Sequence, residues 1–85
     1  MEKVILTTKT QTLRENTTLM PDGFGGWIAQ NIGTANVEVN GFVLESGEKL
    51  DLSNVASNVI WSTPIVIVCQ SGGVLRIMRM YSVEG

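Results

Sequence analysis

The chain has 85 residues, of which 44% are hydrophobic and 16% charged; its net charge is −2, with no histidine and a single cysteine, Cys69. That length gives one small domain, and one thiol without histidine excludes an internal disulfide and a structural zinc site. A pI near 4.9 and six scattered basic residues argue against a nucleic-acid footprint, which wants Lys and Arg clustered on one face.

Met1-Glu2-Lys3 leads directly into the β-branched run Val4 to Thr8, so a first strand is expected and a secretory signal is not. Lys9 to Leu19 is Thr-rich and polar, and suits either an edge strand or an arm onto a neighbour. Pro21-Asp22-Gly23-Phe24-Gly25-Gly26 is a loop by composition, with Phe24 expected to pin it to the core. Trp27 to Asn31 restarts an extended run, and Ile32-Gly33-Thr34 turns it.

The strongest local signal follows. Asn40-Gly41 separates Val37-Glu38-Val39 from Phe42-Val43-Leu44, and a type I′ turn needs positive φ at both central residues. This predicts a hairpin pairing Val39 with Phe42 and Val37 with Leu44. Those four side chains then share one face, with Glu38 and Val43 on the other.

Ser46-Gly47 makes the next turn, and Lys49 to Leu52 alternates so that Leu50 and Leu52 share a face. Ser53 to Ser57 fits one helical turn capped by Ser53 or Asn54, and Asn58 to Trp61 fits a short strand. Ile65 to Cys69 is continuously apolar, which predicts a strand covered on both faces. After a turn at Gln70-Ser71-Gly72-Gly73, Val74 to Val83 forms the last strand. It carries Leu75, Ile77 and Tyr81 on one face and Val74, Met78 and Met80 on the other. About seven or eight short strands at this spacing, with no substantial helix, predict an all-β, single-domain β-sandwich or jelly-roll-like fold, a small barrel being the remaining alternative. Residues 1–26 hold the first strand, the Thr-rich segment and the Gly-rich loop, and residues 27–85 the compact β core.

General acid–base chemistry at neutral pH most often uses histidine, and the chain has none. Cys69 sits in the most apolar run, where a thiol packs inertly and its pKa rises. Glu45, Glu48 and Asp51 flank a turn and read as solvated surface. The glycines after Asp22 feed an extended segment rather than a helix N-terminus, so they do not cradle phosphate. No ligand spacing matches a calcium loop. The expectation is a protein without catalytic residues, cofactor or metal. No apolar stretch is long enough for a membrane helix.

Trp27, Trp61 and Tyr81 invite a second reading as a ligand-stacking platform, although large aromatics in a small domain more often serve core or interface. Arg76 and Arg79, three apart on a strand, project to opposite faces, and one of them suits a buried pairing. The apolar surplus is the larger signal, since ordinary domains carry about 25% charged residues. The last two strands are apolar on both faces, with Val66, Val68, Met78 and Met80 left for a partner. Burying four such side chains is worth about 6–12 kcal/mol as an upper bound, so a homo-oligomer is expected.

The series Trp27…Asn31-Ile32-Gly33, Val37-Glu38-Val39-Asn40-Gly41 and Glu45-Ser46-Gly47-Glu48, running into an apolar hairpin, resembles small β-rich virion proteins of tailed bacteriophages. The resemblance spans Trp27 to Tyr81. It implies a capsid decoration protein or a small tail or fibre component, made in the host cytoplasm and carried in the virion. Such a protein oligomerises and docks on a larger virion protein, and no catalytic residue is carried over. The alternative is a carbohydrate-binding module that presents Trp27 and Trp61 to a glycan.

Overall fold

Residues 4–54 and 60–84 are described by the computed structural model, and their regular structure is entirely β. The strands are β1 (Val4–Leu13), β2 (Thr17–Leu19), β3 (Trp27–Asn31), β4 (Val37–Val39), β5 (Phe42–Leu44), β6 (Lys49–Leu52), β7 (Ile65–Cys69) and β8 (Leu75–Glu84). All pair antiparallel, forming one four-stranded sheet in the order β1-β8-β3-β6 and another in the order β2-β7-β4-β5.

The pairing is nested. β4 meets β5, β3 meets β6, β2 meets β7 and β1 meets β8, so the chain doubles back on itself about the β4–β5 turn. Ladders β3–β8 and β4–β7 then knit these pairs into two sheets. The arrangement is compatible with the expected sandwich or jelly roll.

The innermost turn forms as its residues require. Asn40 and Gly41 take φ of 49° and 86°, and Val39 pairs with Phe42, Glu38 with Val43, and Val37 with Leu44. The Asn40 side chain also accepts from the Val66 amide at 2.7 Å, tying the turn to β7. The expected common face holds in register, but only Val37, Val39 and Leu44 are buried; Phe42, at the end of the edge strand, is 66% exposed.

Both sheets feed one core. Leu13, Trp27, Ala29, Leu75 and Ile77 come from the first, and Leu19, Val37, Val39, Leu44, Ile65 and Ile67 from the second. Phe24 joins them from the Gly-rich loop, wholly buried as expected of an anchor. Full burial of such side chains contributes about 1.5–3 kcal/mol each.

Of the two readings of residues 9–19, the edge strand holds: β1 continues to Leu13, β2 pairs with β7, and each lies at a sheet edge with an inward leucine. The Ile65–Cys69 run is not covered on both faces within the chain. Ile65 and Ile67 point inward, and Val66 is 46% exposed, because no described residue is layered on the outer side of the sheet. Leu50 and Leu52 share a face as expected, opposite the inward Ala29 and Trp27; Leu50 packs partly on the core, and Leu52, at the end of edge strand β6, is exposed. Ile60 and Trp61 lie outside any strand, and the rest of the expected Asn58–Trp61 strand falls outside the described residues. So does most of the expected helical turn; its start, Ser53 and Asn54, is irregular.

Candidate interaction surface

Alternation along each strand gives each sheet an inner and an outer face. On the first sheet the outer side chains Thr10, Ile28, Gln30, Arg76 and Met78 line a shallow concavity of about 200 Å³. Met78 sits between its cross-strand partners Thr10 and Ile28, and Arg76 between Thr12 and Gln30. Met78 and Met80 are half-buried. The second sheet turns Val66, Val68, Glu38 and Val43 outward, with Val43 51% exposed. Met20, just past β2, is exposed too.

The residues expected to form one interface therefore divide. Val66 and Val68 lie on one side of the molecule, and Met78 and Met80 on the other. The aromatic candidates belong to neither face. Trp27 is 1% exposed and meets Trp61 edge-to-face at 5.4 Å, so its ring presents no surface to a flat ligand. Trp61 is half-buried against the core, its amide donating to the Phe24 carbonyl at 2.7 Å. Neither indole N–H finds an acceptor among the described residues.

Tyr81 belongs to a polar cluster at one end of the first sheet. Its hydroxyl donates to Asp22 Oδ1 at 2.8 Å, and Arg79 Nη1 lies 3.7 Å from Asp22 Oδ2. Arg79 Nη2 donates to Gln11 Oε1 at 3.2 Å, and its guanidinium stands 5.7 Å from the centre of the Phe24 ring. Lys9 Nζ lies 5.0 Å from the centre of the Tyr81 ring. Burial and the hydrogen bond to Asp22 push the Tyr81 phenol above its ordinary pKa, against an opposing pull from Arg79. The cluster pins the loop around Phe24 to β1 and β8, and its half-exposed Asp22 carboxylate is satisfied internally.

Sequence reasoning missed Asp22 and Gln11 as its members. The parity of Arg79 with Leu75 and Ile77 was the available signal, because an inward arginine needs a carboxylate.

Asn31 was also missed. It is the buried polar side chain of the core: Nδ2 donates to the Ala35 and Leu44 carbonyls, each at 2.8 Å, and Oδ1 accepts from the Gly33 amide at 3.0 Å. Asn31 is thus a structural tie between the two sheets and leaves no polar atom for a ligand.

Cys69 behaves as expected of a packed thiol, with desolvation pushing its pKa up and Sγ 3.9 Å from the Leu13 carbonyl. Asp51 accepts from the Ser53 amide and hydroxyl, which holds its carboxyl below the usual range. No group of three or more potential metal ligands occurs among the described residues. The described residues present two outward, partly apolar sheet faces with few charges. Compared with known proteins, the chain matches no protein family, no curated protein and no solved structure.

Proposed function

We propose that this chain is a structural virion protein of a bacteriophage, a small β domain that oligomerises and docks on a capsid or tail lattice in a decoration or auxiliary role. The observation that carries the reading is the outer face of the second sheet. Val43 and Val66 are exposed there, with no described residue layered over them. Scattered apolar side chains are ordinary on a surface, but a face built on valines is the kind that partners cover.

Two features support the virion setting. The nested strand order is compatible with a jelly roll, an architecture shared by capsid and lectin domains. The order of turns from Trp27 to Tyr81 resembles small phage virion proteins. The mechanism is burial of sheet surface, with edge strands β1 and β5 available for backbone pairing to a neighbour.

The test uses particles purified from an infected culture that produces this chain, probed with an antibody against it. Retention on the particles, lost when they are disassembled and separated from capsid and tail proteins, is the expected result. Absence from the particles overturns the virion role, whatever the protein's own oligomeric state.

A further inference from the structure

An assembling sheet face needs an occupant, and the charges name one. Among the strands of the second sheet, Glu38 is the one charged residue. It points outward between its cross-strand partners Val68 and Val43, is half-buried, and has no cation partner among the described residues. Any body that covers the exposed valines also covers this carboxylate. Burying it unpaired is strongly unfavourable, so the covering surface must bring a cation within an apolar setting. The face does not suit its own duplicate, because a two-fold contact centred on it would set Glu38 against Glu38.

The outer face of the first sheet has the complementary character. Arg76 is exposed, lacks a carboxylate partner among the described residues, and lies in the shallow concavity beside Ile28 and Met78. A guanidinium suits the task, since its stem covers apolar surface while its planar fork meets a carboxylate. Lys49 and Asp51 sit on β6 at the margin of the same face, where their charges offset each other.

Resting on the assembly reading above, we propose that the occupant is a second copy of this chain. The outer face of β2-β7-β4-β5 in one copy packs on the outer face of β1-β8-β3-β6 in the next, with Glu38 paired to Arg76. The two patches differ, so the contact is head-to-tail. It closes into a ring if the rotation between copies allows and otherwise grows as a filament.

The test measures absolute mass by light scattering across a concentration series, for the wild type, Glu38→Arg, Arg76→Glu, the double variant, and an equimolar mixture of the two single variants. Circular dichroism and thermal melting check that each variant is folded. The wild type is expected to exceed single-copy mass and each single variant to stay at it. The double variant is expected to regain the wild-type mass, because it restores opposite charges at every contact, and the mixture to exceed single-copy mass, because alternating copies pair opposite charges. If folded single variants assemble like the wild type, or if the double variant and the mixture stay at single-copy mass, the contact is wrong while the virion role stands. A wild type of single-copy mass throughout also overturns the contact, leaving particle retention to decide the virion role by itself.

Discussion

Replacing Asn31 by alanine strips a donor from the Ala35 and Leu44 carbonyls and an acceptor from the Gly33 amide, all around a fully buried site. Buried groups left unpaired carry most of the penalty, so Asn31→Ala is expected to cost about 3 kcal/mol. The readout is a lower urea midpoint at unchanged slope. Alternation with Trp27 and Ala29 makes the inward direction of this side chain legible. Its partners are not, because Leu44 lies in the other sheet and Ala35 on the connecting loop.

Tyr81 gives a pH-dependent counterpart. Its folded pKa is raised by burial and by Asp22, so the protonated phenol stabilises the fold below the unfolded pKa of about 10. That contribution is lost as pH rises through the folded value. Urea midpoints measured between about pH 9 and 11 should therefore fall more steeply for the wild type than for Tyr81→Phe; parallel curves would discard the linkage.

Among elements, the β4–β5 hairpin was written locally and formed as written, since turn geometry depends on the two residues in it. Gly33 carries a constraint of another kind. A Cβ there would run into the Gly72 carbonyl oxygen and the Val74 amide, both backbone atoms of the β7–β8 turn. Gly33→Ala is expected to destabilise by about 1–3 kcal/mol, more than a typical surface change, as read from thermal or urea unfolding. Nothing in Ile32-Gly33-Thr34 shows this, because the obstructing chain lies some forty positions away. The β7 run left its outer cover open for a related reason. Continuous apolarity shows that a strand can tolerate cover on both faces, but whether a second layer exists is a property of the whole arrangement.

For the whole molecule, the nested order makes the outermost ladder join the two ends of the chain, Val4 opposite Glu84 and Leu13 opposite Leu75. Such pairing must close long loops before contacts reward it, so folding is expected to be slow for this size, in milliseconds to seconds by stopped-flow fluorescence of the tryptophans. A microsecond phase carrying the full amplitude would contradict it. The molecule measures 48 × 20 × 17 Å, and of β8 only Leu75 to Arg79 pair with β3. Beyond the Met80 contacts with the Gly25–Gly26 segment, the β1–β8 pair continues as a two-stranded ribbon. By itself the sequence determined the β class, the Asn40-Gly41 turn, the alternation that makes Leu75 and Ile77 inward, and the anchoring of Phe24. These follow from φ preferences and a two-residue period, which act between near neighbours. Only the tertiary structure decided that Trp27 lies within the core, that Asp22 answers Arg79, and that Glu38 and Arg76 stand on opposite outer faces. Each of these depends on which distant strands become neighbours, and strand order is a choice among pairings that local preferences leave nearly equal.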